Sequence, residues 1–352
     1  MLYIDGIVFS LQNSGGITVY FCEIIKRMNF SCLVKLFNNN NNMLLIEKSS
    51  FPGNVKFLSS RLNSLLLKII RYLDVVVPND TEIFHSSYYR LPVFWQRKNV
   101  KIITTVHDFT YERMRTDIFS YVHRYQKRRA ILLSDSIVCI SESTKKDLLY
   151  FIPEASKMDI RVIYNGVSND FYQLDENSDS ASSDYILFVG ARPGYKNFSD
   201  LVEAIQNLPN MRLVVVGGGV FNEKEIKFLD SRIFGRYKHL KYVENSELNQ
   251  LYNNAFCLVY PSLYEGFGIP VIEAMKAGCP VIASSSSCIP EVASNAAILI
   301  DDINPLTITD AINSLKDIEL RKNLISLGLT NAKRFNWDYT YKQLSQLYLE
   351  KK

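Results

Sequence analysis

Apolar and polar positions in the first half of the chain alternate between short hydrophobic runs and longer amphipathic stretches. The runs predict strands over 2–8, 31–37, 55–58, 82–85, 101–106, 136–140 and 160–164, and the stretches predict helices over 16–28, 61–73, 118–133 and 142–150. Asn38–Asn42 interrupts the pattern as a polar, turn-prone insertion. Residues 169–183, polar and rich in Ser and Asp, read as a linker. A second alternating unit then begins, with strands over 185–190, 211–216, 240–243 and 256–260 and helices over 197–207, 222–234 and 246–253. A short helix over about 270–277 and a buried strand near 281–283 follow, and the tail Phe335-Asn-Trp-Asp338 leads into an amphipathic helix. Nothing repeats at short period, which excludes a solenoid.

Such alternation argues for parallel sheets with helices on both faces. The fold class is therefore α/β: two doubly wound Rossmann-like domains facing across a cleft. They are expected over 1–168 and 184–335, with 169–183 between them. Ligands of such sheets bind beyond the strand carboxyl ends. The length of 352 residues fits two cores of about 150 residues each.

Composition narrows the function classes. Hydrophobic residues at 47% and charged residues at 22% are ordinary for a globular protein, and no run of 18 apolar residues exists to span a membrane. The start, Met1-Leu-Tyr-Ile-Asp-Gly6, lacks a basic leader and reads as a strand. None of the six cysteines forms a Cys-x-x-Cys pair, so reduced core thiols and a cytoplasmic location are expected. The four histidines show no metal-ligand spacing, and no Asp-x-Asp pair offers a divalent-metal clamp. The net charge of +4 is too small to argue for nucleic acid, but it is unevenly spread. Residues 1–168 carry 22 Lys/Arg against 14 Asp/Glu, and residues 169–352 carry 18 against 22, so the halves stand at +8 and −4. An anionic partner is expected on the N-terminal side.

The most informative stretch is 260–283. Glu265 and Glu273 bracket a Gly266-Phe267-Gly268 turn, Pro270 pre-sets the first helical turn, and Gly278 with Pro280 stops the helix. A helix N-terminus offers backbone N–H groups to an anion or a hydroxyl oxygen, and carboxylates suit the vicinal hydroxyls of a sugar or ribose. The bland reading is a solvated helix start whose acids complement the dipole. Tyr264, Phe267 and the apolar helix argue instead for a cleft.

Other strand ends carry chemistry too. Gly190-Ala-Arg-Pro-Gly-Tyr-Lys-Asn197 places Arg192 and Lys196 where a diphosphate would lie, although an isolated pair of this kind would by default be surface cations. Asn13-Ser-Gly-Gly-Ile17 follows the first strand, where Gly15 and Gly16 permit close backbone approach. Val106-His107-Asp108 ends another strand; Asp108 either orients His107 or caps the following turn. Ser141 or Ser143 reads as a helix N-cap, and Asn165-Gly166 as a structural turn. Val214-Val-Val-Gly-Gly-Gly219 fails as a dinucleotide fingerprint, because position 239 is His rather than acidic, which argues against a nicotinamide dehydrogenase.

These motifs, in this order over nearly the whole chain, resemble the retaining glycosyltransferases of family four, which have the GT-B fold. The resemblance implies that Glu265 contacts the donor sugar and Glu273 holds the ribose. It implies that the amides of Gly266, Phe267, Gly268 and Ile269 approach sugar and diphosphate, and that Arg192 and Lys196 bind the diphosphate. Gly15 and Gly16 become a donor loop, His107 touches the donor sugar, Gly217 and Val243 line the nucleotide site, and Asp108 faces the acceptor. The helix over 336–352 crosses back onto the first domain. The implied reaction moves a hexose, with mannose from GDP-mannose favoured, from a nucleotide-diphosphate sugar to a glycan or lipid-linked acceptor, as in bacterial surface-polysaccharide (O-antigen) assembly. The leaving diphosphate takes the acceptor proton, so no cofactor and no metal are expected. The alternatives are a phosphorylase or epimerase of similar fold, or a non-catalytic carbohydrate- or nucleotide-binding subunit. Helices 118–133 and 61–73 set Arg124, Lys127, Arg128 and Arg129, and Arg61, Lys68 and Arg71, beside apolar residues. That pattern fits peripheral docking on an anionic membrane, or simple packing on the sheet with solvated cations.

Overall fold

The computed structural model describes residues 1–12, 15–37, 51–174, 183–192 and 194–350. The polar insertion Asn38–Asn42, Asn13 of the glycine loop, and most of the expected linker lie outside them. The chain divides into two compact units, Met1–Gly166 with Trp337–Lys352, and Val167–Asn336.

The first unit carries strands β1 (Leu2–Asp5), β2 (Cys32–Phe37), β3 (Val55–Ser60), β4 (Ile83–Ser86), β5 (Lys101–Val106), β6 (Ser136–Cys139) and β7 (Asp159–Val162). Among the described residues they form one parallel sheet of order β3-β2-β1-β4-β5-β6-β7. Its helices are α1 (Val8–Leu11), α2 (Gly16–Lys26), α3 (Ser64–Ile70), α4 (Thr110–Met114), α5 (Ile118–Leu132) and α6 (Glu142–Phe151). The central strand β5 is buried at every position, as a parallel strand covered on both faces must be. The expected strand 2–8 ends at Asp5, because the Gly6 amide donates to Lys35 O (2.9 Å) and the chain turns into α1. Ser141 caps α6, its hydroxyl accepting from the Thr144 amide at 3.0 Å.

The second unit holds β8 (Tyr185–Val189), β9 (Arg212–Val216), β10 (Tyr237–Leu240), β11 (Cys257–Tyr260), β12 (Val281–Ser284) and β13 (Ile298–Ile300), all parallel, in the order β10-β9-β8-β11-β12-β13. Its helices are α7 (Phe198–Gln206), α8 (Glu223–Ile233), α9 (Asn245–Asn254), α10 (Ile269–Lys276), α11 (Ile289–Ala293), α12 (Pro305–Ser314) and α13 (Ile318–Ala332). One core of aliphatic and aromatic side chains from β8, β9, β11 and the helices α7, α8 and α12 fills the space on one face of this sheet. The strand expected over 240–243 lies three residues earlier. Gly235, at φ 71°, ends α8 abruptly and starts the strand at once, and an edge strand needs only a weak apolar signal.

Residues 169–174, expected as linker, are integral to the second unit. Phe171 is buried, the Tyr172 and Leu174 amides donate to Asn249 Oδ1 (3.0 Å) and Asn253 Oδ1 (2.8 Å), and Asn253 Nδ2 returns a bond to Tyr172 O. The asparagine pair on α9 supplies these partners, so local polarity did not mean freedom.

The chain then rejoins the first unit as α14 (Trp337–Leu349), burying Trp337, Tyr341, Leu344, Leu347 and Tyr348. Tyr341 OH donates to Asn29 Oδ1 at 2.7 Å. Lys101 Nζ reaches the Leu347 and Glu350 carbonyls at 2.7 and 3.0 Å and so closes the carboxyl end of the helix. Tyr348 OH shares a 2.6 Å bond with His85 Nδ1, while His85 Nε2 meets Thr105 Oγ1 at 2.8 Å. Burial pushes His85 down to about 3, so the ring bridges helix and sheet as a neutral imidazole. Tyr348→Phe therefore strands a buried ring nitrogen and should cost about 1–3 kcal/mol. Denaturant unfolding checks this; an unchanged midpoint for the first unit would contradict it.

Candidate functional site

In the second sheet the strand order reverses direction between β8 and β11, and the loops leaving these neighbours diverge around a crevice. The loop after β8 carries Arg192 and the single turn Gly194–Lys196; the loop after β11 carries Glu265 and leads into α10. They are laced together, with the Leu263 amide donating to Tyr195 O (2.9 Å) and Asn197 Nδ2 to Pro261 O (3.2 Å). Lys196 and Glu265 meet in this crevice as a direct, largely buried ion pair. The ammonium also lies 5.2 Å from the Tyr195 ring and 5.7 Å from the Tyr260 ring, both attractive for a cation. Burial pushes the Tyr260 phenol well up, and the negative charge of Glu265 beside it adds to the rise. On the main chain, Glu265 N donates to Ser287 Oγ (3.0 Å) and Cys288 Sγ donates to Glu265 O (3.2 Å), fixing the loop from the β12 side.

Gly268 begins α10 at φ 84°, with no side-chain cap over the helix start. A Cβ there would fall 2.7 Å from Ile289 Cδ1, so both conformation and space require glycine. Phe267 is buried and packs edge-on against Phe335 at 5.6 Å. Glu273 lies one turn further along, half-buried, where Oε2 accepts from Tyr252 OH at 3.0 Å. Burial raises the Glu273 carboxyl to about 7, and the Tyr252 bond opposes that rise.

Arg192 is already engaged. Its guanidinium donates to Glu225 Oε1 (2.8 Å), Gly217 O (3.0 Å) and Gly219 O (3.2 Å) and stacks 4.4 Å from the Phe221 ring. Here it braces the Gly217–Gly219 loop, whose three residues all have positive φ. A Cβ at Gly218 would collide with Gly190 O (2.8 Å) and the Arg192 side chain. Glu225 was not anticipated as a partner, although Asn222-x-x-Glu225 is a readable capping box on α8. Tyr252 carried no local signal; only the packing of α9 beside α10 brings it to Glu273. Val243 sits half-buried in the turn between β10 and α9, beyond the strand rather than at its end.

The remaining expected residues belong to the first unit. Gly15 is extended (φ 164°) and precedes α2, which starts at Gly16. His107 is buried at the end of β5, 5.0 Å edge-on from Tyr20, and burial lowers it to about 4. Its Nε2 is buried with no partner among the described residues. Asp108 caps the turn, Oδ1 accepting from the Thr110 amide at 2.9 Å, while its carbonyl accepts from Lys127 Nζ.

Known proteins resemble this chain in sequence and in fold. A family model described as Glycosyltransferase Family 4 matches residues 14–171, and one described as Glycosyl transferases group 1 matches residues 173–329. The chain is 28% identical over 300 residues to O-antigen chain mannosyltransferase B of Escherichia coli, covering 76% of this chain and 74% of that one. It is 32% identical over 199 residues to O-antigen chain mannosyltransferase RfbU of Salmonella typhimurium, covering 55% of this chain and 54% of the relative. In structure it is similar to sucrose-phosphate synthase from Thermosynechococcus elongatus, with a TM-score of 0.77, 18% identity, and 99% and 97% coverage. The fold is GT-B and the protein is a glycosyltransferase. The chain belongs to glycosyltransferase family four.

A carboxyl that titrates near 7 in the fold, against an ordinary 4.5, favours the folded state fully at low pH and loses that contribution as pH rises through about 7. Glu273→Gln removes the penalty. It should stabilise the ligand-free protein at pH 8 by on the order of 3 kcal/mol, and far less at about pH 5. Melting temperatures of both proteins across this range check the sign; a gain independent of pH would refute it.

Proposed function

We propose that this protein is a retaining mannosyltransferase that takes mannose from a GDP-linked donor, without a metal ion, and adds it to a glycan or lipid-linked acceptor in O-antigen-type polysaccharide assembly. The observation that carries the reading is the meeting of Lys196 and Glu265 at the β8/β11 reversal, beside the uncapped start of α10. The names of the Escherichia coli and Salmonella relatives support mannose and an O-antigen acceptor. Charge builds on the diphosphate as the glycosidic bond breaks, and Lys196 and the α10 amides supply a fixed positive potential for it. Arg192 lends charge through the glycine loop that it braces. Glu265 meets the sugar and Glu273 the ribose. The departing diphosphate takes the acceptor proton on the face it leaves, so the new bond keeps the anomeric configuration and no protein nucleophile is needed.

Transfer assays with a panel of GDP- and UDP-sugars test this, and thermal shift names the donor by mass action. Lys196→Ala should lose about 2–4 kcal/mol of transition-state stabilisation, and Glu265→Ala should lower kcat strongly. Activity should survive excess EDTA, and NMR of the product should show the donor's anomeric configuration. Inversion, loss on chelation, or near-normal turnover in both variants would each overturn part of the reading. Turnover that requires inorganic phosphate in place of a nucleotide would identify a phosphorylase.

We also propose peripheral docking on an anionic membrane, the inner face of the cytoplasmic one, through apolar side chains. No helix among the described residues is long and apolar enough to cross a bilayer. Of the cations expected to meet headgroups, the four on α5 have partners within the unit, Arg124 the Tyr111 carbonyl, Lys127 Glu112, Arg128 Glu154 and Arg129 Asp74, and Arg71 donates to Tyr88 OH. The exposed groups are instead Ile118 (74%), Phe119 (71%) and Tyr125 (69%) on α5, with Leu65 (68%) and Ile69 (52%) on α3. Insertion of such side chains complements the long-range pull of a half carrying a net +8. Co-sedimentation with anionic vesicles should fall at least severalfold for Ile118→Ser with Phe119→Ser, and should fade with salt. Equal sedimentation of variant and parent, or none at all, would rule out this surface.

A further inference from the structure

Tyr252 lies outside every motif that marks the site, yet among the described residues it makes the one side-chain bond to the Glu273 carboxylate. It belongs to α9, its side chain is wholly buried, and its ring is packed edge-on against Phe171 at 5.9 Å. A ring held so rigidly fixes the position of its oxygen and leaves the hydroxyl hydrogen two in-plane directions, one of which leads to Glu273 Oε2 at 3.0 Å. We propose that Tyr252 is a positioning residue for nucleotide binding, keeping the Glu273 carboxylate oriented and ionised so that it can accept the two ribose hydroxyls. This rests on the reading that Glu273 holds the ribose.

The electrostatic surroundings show why such a donor is needed. The titratable groups facing Glu273 are Tyr252 from α9 and Tyr260 from β11, with Cys279 beyond them at the end of α10. None is a cation. Lys276, one turn along α10, is directed to Ser168 O and Asn169 Oδ1, each at 2.9 Å. Glu265, by contrast, has Lys196. Burial therefore pushes the Glu273 carboxyl up to about 7 with only the Tyr252 hydroxyl resisting. A protonated carboxyl has one fewer acceptor site and a proton of its own to place, so it meets two hydroxyl donors poorly. Nucleotide affinity should accordingly fall as pH drops through about 7. Without the Tyr252 hydroxyl that midpoint must move upward, since the bond that favoured the charged form is gone.

The test is calorimetric titration of the full chain with GDP, and with UDP in parallel, from about pH 5.5 to 9.5, for the parent, Tyr252→Phe and Glu273→Gln. The parent should gain affinity through a midpoint near 7. Tyr252→Phe should bind about fivefold more weakly at pH 7 and about tenfold more weakly well below it, with the midpoint about one unit higher, and should converge on the parent by about pH 9. Loss of packing would instead weaken binding equally at every pH. Glu273→Gln should bind weakly and without this midpoint. In turnover, Tyr252→Phe should raise the donor KM at pH 7 and leave kcat at saturation close to the parent's. If Tyr252→Phe overlays the parent while Glu273→Gln does not, the positioning role is wrong and the ribose role stands. If Glu273→Gln also matches the parent with either nucleotide, the ribose reading itself fails.

Discussion

The contact between Lys196 and Glu265 depends on a topological constraint. Parallel strands send all their carboxyl ends to one edge of the sheet, and at one place in the order the crossovers must change direction. In the second unit that place lies between β8 and β11, so loops separated by about sixty residues become neighbours. A lysine from one and a glutamate from the other can then meet with little further construction. What remains is to hold the loops still. Backbone and side-chain bonds across Leu263, Tyr195, Asn197 and Pro261 do this from one side, and Ser287 and Cys288 do it from the other. The first unit has the same kind of reversal, between β1 and β4, and the Gly15-Gly16 loop leaves the sheet there.

Partner choice separates the two glutamates of the Glu-x-Gly-rich segment. Each has a buried tyrosine beside it, Tyr260 for Glu265 and Tyr252 for Glu273. Only Glu265 also has a cation. The strongly shifted carboxyl is therefore the one on the helix, although both stand within eight residues of each other. Spacing alone would have suggested equivalent acids, whereas the environment makes one an ion-pair member and the other a carboxyl poised to titrate.

Much of the fold was legible because parallel α/β architecture writes itself plainly: buried strands such as β5 and β11 are unbroken apolar runs, and their crossovers are amphipathic. Legibility failed where burial is partial or partners are distant. β10 is an edge strand with only half-buried positions, so its limits were placed by hydrophobicity instead of by the Gly235 turn that starts it. Residues 169–174 looked like linker because their hydrogen-bond partners, Asn249 and Asn253, lie about eighty residues away. The elements from 289 to 332 were unassigned. At the site, glycines and charged residues announced themselves through turn chemistry and spacing. Glu225 had a capping-box signature that concealed its second task on Arg192, and Tyr252 had no local signature at all.

Arg192, expected at a diphosphate, directs its donors to protein groups in this structure. Its charge is shared among Glu225 and two loop carbonyls, and it lies 4.4 Å from the Phe221 ring, so releasing it would break three hydrogen bonds at once. A guanidinium fixed in this way acts as a strut. The three consecutive positive-φ glycines it braces have no side chains of their own to hold their shape. With Arg192 bonded to two of its carbonyls, that loop is held against Gly190 at the end of β8. Lys196, by contrast, has one carboxylate partner among the described residues, Glu265, so exchanging that partner would leave the bonds of the strand ends in place.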